Sequence, residues 1–262
     1  MDNIIVVSIE TSGINPYYQG KEEISDFLRN NLLPHIEKSV ESIHFYGAGC
    51  AGEGECNVVK EAISDVIPSP IIEVNSDLLG ACRALCRNEP GIVCILGTGS
   101  NSCYYDGDKI IRNISPLGFI LGDEGSAAVL GKRLVADYLK NMMPEKVRMF
   151  FEKDYSINSS EVLNRVYRSE FPNRFLSGFA PFLSRNIDDP YCENLIVSEF
   201  RDFILRNVLK YNESRKTPIN FAGSVAFYFE SQLKKVVQSN GLILGRIVQY
   251  PIDLLTKYHR QD

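Results

Sequence analysis

The sequence predicts an α/β protein of two lobes meeting near residue 114, and three observations carry that reading. Strand and helix signals alternate through the first third of the chain. The composition shifts toward helix after Pro116. Three glycine-bearing turns recur, each placed where a strand ends and a new element begins.

The elements follow in order. Ile4-Ile5-Val6-Val7 with Ile9 reads as a buried strand, and Ile24, Phe27, Leu28 and Leu32 keep helical spacing. Ile43–Tyr46 is a short strand running into Gly47-Ala48-Gly49. Ala62–Ile67 ends a second helix, and Leu78, Leu79, Cys82, Leu85 and Cys86 mark a third. Ile92–Leu96, Asn101–Tyr105 and Lys109–Asn113 read as strands, the last two joined at Asp106-Gly107-Asp108. Beyond Pro116, a helix over Gly125–Met143 carries Leu130, Leu134, Val135, Tyr138 and Leu139 on one stripe. A helical stretch follows, with a long amphipathic helix near Cys192–Lys210. Ile219–Ala222 is a strand turning at Gly223-Ser224 into a helix over Val225–Gln238. Ile243–Val248 is the last strand and Ile252–His259 the terminal helix. The strands up to 113 are expected to share one sheet, and 219–222 and 243–248 another.

Composition excludes several classes. Of 262 residues 44% are hydrophobic and 23% charged, which is globular usage. The 28 Lys and Arg against 33 Asp and Glu leave a net charge of −5, unsuited to non-specific binding of nucleic acid or anionic membrane. No apolar run approaches the ~20 residues of a membrane span, and Asp2 follows Met1 with no basic segment. A cytoplasmic protein is expected. Seven scattered Cys read as buried thiols rather than a disulfide framework, and Cys82 and Cys86 have no His beside them. The sequons at Asn113, Asn158 and Asn212 carry no weight. His35, His44 and His259 have no partners for a nucleophilic triad.

The chemistry concentrates in the turns Gly97-Thr98-Gly99-Ser100-Asn101, Gly118 to Gly125, and Ala222-Gly223-Ser224-Val225. Glycine admits close backbone approach, and clustered N–H groups or a helix start bind phosphate oxygens. Any one such turn is an ordinary turn; three in one chain point to a ligand.

These residues carry a family resemblance. Ile92 to Asn101, Ser115-Pro116-Leu117-Gly118 and Gly122-Asp123-Glu124-Gly125-Ser126 resemble the N-acetylglucosamine kinases and the wider group with the BadF/BadG/BcrA/BcrD ATPase domain. Asn75-Ser76-Asp77 before a helix is similar to that family's catalytic segment, and Gly13-Ile14-Asn15-Pro16 to its sugar-contacting one. The resemblance implies the actin-like ATPase (ribonuclease H-like) fold, two α/β lobes (1–113 and 114–262) about a central cleft. It implies Asp77 as general base on the sugar hydroxyl. Asn15, Ser100, Asn101, Gly118 and Asp123 would hold the sugar, and Thr98, Gly99, Gly122, Gly223 and Ser224 the nucleotide. ATP with Mg²⁺ is the implied phosphoryl donor, the ion held largely by phosphates and water. The expected partners are the small-molecule sugar and nucleotide, with a homodimer as the one protein assembly. Each residue also has a plainer role: Asp77, Asp123 and Glu124 as helix-start acids, Asn15 and Asn101 as turn formers.

The family opens with a strand, a phosphate-wrapping loop and a hairpin. Aligned through Gly13-Ile14-Asn15-Pro16, Ile4–Ile9 corresponds to the third strand, so the small lobe is expected to be N-terminally incomplete, with weak ATP binding and slow turnover. A second alignment reads Val7–Gly13 as a degenerate phosphate loop. The rival functions are an ATPase that activates a dehydratase, for which Cys50 and Cys56 are not obviously placed, and a sugar-binding pseudokinase.

Overall fold

The first helix, α1 (Lys21–Asn31), starts with Glu22 and Glu23 in its first turn, where carboxylates suit the helix dipole, and buries Ile24 and Leu28 one turn apart. The computed structural model describes residues 7–260. They divide into two units, the chain up to Gly80 with the segment from Leu255, and Ala81–Leu254.

In the first unit, β1 (Ser42–Gly47) and β2 (Ile71–Ser76) pair in parallel, Ser42 beside Ile71 through Gly47 beside Ser76. Between them α2 (Glu53–Val66) presents Val59, Ala62, Ile63 and Val66, the spacing of one helical face. That face and α1 cover Ile43, Phe45, Ile72 and Val74. Strand alternation turns His44 and Tyr46 the other way. There they meet the end of the terminal helix, α13 (Ile252–His259): the His259 ring stacks on His44 at 3.8 Å, and its Nε2 lies 2.7 Å from the Tyr46 hydroxyl. The terminal helix thus packs on the first lobe, as the resemblance to the kinases implies. Directly after β2, α3 (Asp77–Cys86) carries the chain into the second unit.

The second unit is built on a five-stranded sheet of order β5-β4-β3-β6-β7. Strands β3 (Gly91–Leu96), β4 (Ser100–Tyr105) and β5 (Ile110–Ile114) form an antiparallel meander; β6 (Ile219–Ala222) and β7 (Leu244–Val248) run parallel to β3. A short α4 (Gly118–Leu121) leads to α5 (Ala127–Leu139). Then come α6 (Glu145–Asp154), α7 (Ser159–Tyr167), α8 (Pro172–Ser177), α9 (Ala180–Arg185) and the long α10 (Pro190–Arg206). After β6 follow α11 (Ser224–Tyr228) and α12 (Glu230–Ser239). Phe151, Phe182, Phe200, Phe203 and Phe221 fill the core between helices and sheet. Among the described residues no helix is long and apolar enough to cross a membrane.

The structure corrects the strand reading in three places. The strands at 92–114 belong with β6 and β7, not with β1. Five of the six β3 residues are fully buried, so both β3 edges need partners: β4 takes one and β6, far along the chain, takes the other. Strand β2 was not read at all; it leaves Ile71 half exposed, and its alternation is short. In the expected first strand, residues 4–6 lie outside the described residues, and Val7–Ile9 form no strand. The helix expected over 225–238 is broken at Phe229, between α11 and α12.

Candidate active site

Strands β3 and β6 run side by side with Ile95 next to Ala222, so the chain leaves both at the same carboxyl edge. Open α/β sheets place ligands there. Gly97 N–H donates to the Gly99 carbonyl at 2.9 Å, closing the turn that sends the chain back as β4, with Ser100 opposite Leu96. The neighbouring turn has Gly223 at φ +115°, and a Cβ there would stand 2.8 Å from the Leu96 carbonyl carbon and 3.3 Å from Gly97 N. Only glycine lets the two turns touch. The Gly97 and Thr98 carbonyls accept Ala127 N–H at 2.8 Å and Ala128 N–H at 3.1 Å, while Ser126 Oγ accepts Val129 N–H at 3.2 Å. The start of α5 is therefore occupied in fixing the Gly-Thr-Gly turn.

Thr98 and Ser224, singled out from separate turns, line one pocket of about 410 Å³ with Val225 and Phe229. Its volume is that of a small-ligand site. The opposite wall is Ser177, Ala180, Pro181 and Ser184 from α8 and α9. Sequence reasoning missed this wall. Its signal was the run of small residues at three- and four-residue spacing.

Asp123 is delivered to the same edge by the loop after β5. Its backbone is left-handed at φ +56°, its N–H donates to the Pro116 carbonyl at 2.9 Å, and its Oδ1 accepts Ser100 N–H at 3.1 Å. A Cβ on Gly99 would stand 3.2 Å from Asp123 Oδ2, so this glycine makes room for the carboxylate. Burial pushes the Asp123 carboxyl above the usual range, the Ser100 hydrogen bond opposes that, the Glu124 charge adds to it, and Lys132 pulls it back. Asn101 Oδ1 accepts Ser102 N–H at 2.9 Å and Asn113 Nδ2–H at 2.8 Å. Gly118 and Gly122 shape the Asp123 loop: Gly122 N–H donates to the Gly118 carbonyl at 2.8 Å, and Gly118, at φ +71°, faces open space.

Asp77 and Asn15 lie in the other unit, at the carboxyl edge of β1 and β2. Ser76 Oγ accepts Leu79 N–H at 3.2 Å, so Ser76 is the cap of α3, while Asp77 Oδ1 accepts its neighbour Leu78 N–H at 2.8 Å. Burial raises the Asp77 carboxyl above its ordinary range, against the lowering effect of backbone hydrogen bonds from Leu78 and from Asp77 itself. The Cys50 thiol is pushed up to about 12 by burial, with Cys56 and the Asp77 charge adding to it. Asn15 Oδ1 accepts Tyr17 N–H at 3.0 Å, its own N–H donates to Gln19 Oε1 at 2.8 Å, and it packs on Gly49 in the turn after β1. Within each unit the structure therefore gathers the sequence-selected residues at one strand edge. Among the described residues no three His, Cys, Asp or Glu converge on a metal position.

No model of a known protein family matches the chain. It superposes with a TM-score of 0.92 and 46% identity on the crystal structure of a candidate N-acetylglucosamine kinase from Porphyromonas gingivalis, over 96% of this chain and 90% of that one. It is 24% identical over 250 residues to the N-acetylmuramic acid/N-acetylglucosamine kinase of Clostridium acetobutylicum, over 91% of this chain and 77% of that one. A ROK family glucokinase from Streptomyces griseus, solved with glucose and AMPPNP, shares the fold at TM-score 0.57 and 13% identity, over 92% and 88% of the two chains. The fold is that of the sugar kinases.

Proposed function

The chain belongs to the family of N-acetylglucosamine kinase-like proteins, and we propose that it phosphorylates an amino sugar, N-acetylglucosamine, from ATP. One observation supports this above the others. Thr98 and Ser224, chosen from two turns for their expected place at the nucleotide, line a single pocket beside adjoining parallel strands. In this reading Thr98, Gly99, Gly122, Gly223 and Ser224 hold the nucleotide. Asn15, Ser100, Asn101, Gly118 and Asp123 hold the sugar.

Asp77 takes the proton from the attacking hydroxyl. Two features suit it to that work. The capping bond is made by Ser76, and the Asp77 carboxylate accepts from the adjacent backbone of Asp77 and Leu78. Its raised pKa makes it a stronger base than a solvated carboxylate. Phosphoryl transfer asks the protein mainly for positioning and charge stabilisation, which backbone turns and one carboxylate provide. Mg²⁺ enters with the nucleotide, on its phosphates. The protein works in the cytoplasm, without nucleic acid or membrane partners. ATP turnover with and without N-acetylglucosamine tests the reading. Sugar-stimulated ADP release supports it, sugar-independent release means an ATPase, and sugar binding without release means a pseudokinase.

A further inference from the structure

The inner stripe of α10 is apolar at Cys192, Leu195, Ile196, Phe200 and Phe203, except that Glu199 sits on it, 4% exposed. A carboxylate inside an aromatic core is costly unless bonded. Glu199 Oε1 accepts Arg133 Nη1–H at 2.7 Å, and Oε2 accepts Gly125 N–H at 3.4 Å. About two helical turns further on, Asn207, 5% exposed, donates from Nδ2 to Glu124 Oε2 at 3.2 Å, and Arg206 lies 3.6 Å from the same carboxylate. Both buried groups thus grip the two residues that follow Asp123. That segment needs gripping: Asp123 is left-handed at φ +56°, which is unfavourable for a residue with a side chain, and Gly125 at φ +73° packs against Phe203.

We propose that Glu199 and Asn207 are positioning residues for sugar recognition, holding the Glu124-Gly125 segment so that Asp123 keeps its carboxylate on Ser100 N–H. The inference rests on the reading of Asp123 as a sugar ligand, and the experiment separates the two. Glu199→Gln keeps size and an acceptor but drops the charge that Arg133 neutralises; Asn207→Ala removes the buried amide bond to Glu124. N-acetylglucosamine binding is measured by calorimetry, and exchange of the Ser100 amide, which reports the Asp123 bond whether or not sugar binds, by hydrogen–deuterium exchange. Each variant is expected to weaken sugar binding by about 5- to 50-fold, to leave ATP affinity within about twofold, and to speed Ser100 exchange while Val93 and Cys94 stay protected. Unchanged Ser100 exchange in both variants, or an equal loss of ATP affinity, overturns the positioning role. Asp123→Asn with full sugar affinity overturns the sugar reading instead, and faster Ser100 exchange in the other two would still uphold the clamp.

Discussion

Two parallel strand pairs carry the candidate residues, and they are built differently. In the second unit, β3 and β6 are almost wholly buried, and the turns beyond them are shaped by backbone touching backbone: Gly223 on the Leu96 carbonyl, Ala127 N–H on Gly97. In the first unit, β1 and β2 are half exposed, and the edge is shaped by side chains: the Asn15 turn, the Ser76 cap, the Asp77 bond to Leu78 N–H. A backbone-built edge is rigid and intolerant. A side-chain-built edge leaves chemical groups adjustable and removable at low structural cost. Substitutions in the backbone-built turns of the second unit should therefore disturb fold and function together, and loss of the Asp77 side chain in the first unit function alone.

The largest effect is expected at Asp77. Asp77→Asn keeps an acceptor for Leu78 N–H, so stability should change by less than ~1 kcal/mol, while kcat falls by about 10²- to 10⁴-fold. In the parent protein, burial raises the Asp77 pKa, and a base must be ionised to work. The acid limb of kcat/KM should then lie above the ordinary carboxylate range, and turnover should rise with pH through it. A variant with parental turnover would remove Asp77 from the chemistry and break the comparison on its functional side.

Next comes Gly223→Ala. A methyl group at φ +115° against the Leu96 carbonyl should cost roughly 2–5 kcal/mol and lower nucleotide affinity with it. Gly13→Ala in the first unit meets nothing within 4 Å, and its melting temperature should match the parent's, a change below ~0.5 kcal/mol. Equal losses at the two glycines would erase the difference between the units.

What was legible in the sequence divides along the same line. Turns are local, so Gly97-Thr98-Gly99, Gly122-Asp123 and Gly223-Ser224 could be picked out from residue type and position. Their meeting depends on Ile92 lying beside Ile219, a pairing across nearly half the chain that no local pattern encodes. That is why β3–β5 were grouped with the wrong strands. The pocket wall from α8 and α9 left only a weak signal, small residues at three- and four-residue spacing, and Ser177, Ala180 and Ser184 gain meaning once they line one pocket with Thr98 and Ser224. Glu199 did leave a trace, as a charge on an apolar stripe. Strand β2 left almost none, because a half-exposed edge strand has little apolar alternation to show.

Asp123→Asn tests the second unit more gently. The amide oxygen can still accept Ser100 N–H, but the charge is gone, so sugar affinity should fall by about 10- to 100-fold. Stability moves the other way. The folded state raises the Asp123 pKa, so its contribution is fully present below the unfolded carboxylate range and lost as pH rises through the folded value. At neutral pH the Asn variant should melt at or above the parent's temperature, and this advantage should shrink on acidification. A variant less stable at neutral pH would mean that the carboxylate is a structural anchor.

The smallest effect is expected at Asn15, where turn and ligand roles can be separated. Its Oδ1 builds the turn by accepting Tyr17 N–H, and its Nδ2 is the group left to donate to a sugar hydroxyl. Asn15→Ala removes both; Asn15→Asp keeps the oxygen and removes the donor. One neutral hydrogen bond is worth about 0.5–1.5 kcal/mol net, so both variants should bind N-acetylglucosamine about 3- to 10-fold more weakly. Only Asn15→Ala should also lose stability, by up to ~1 kcal/mol, because only it opens the turn. Should Asn15→Asp bind sugar as the parent does, the residue is a turn former alone, and the side-chain-built edge would act through Asp77 without it.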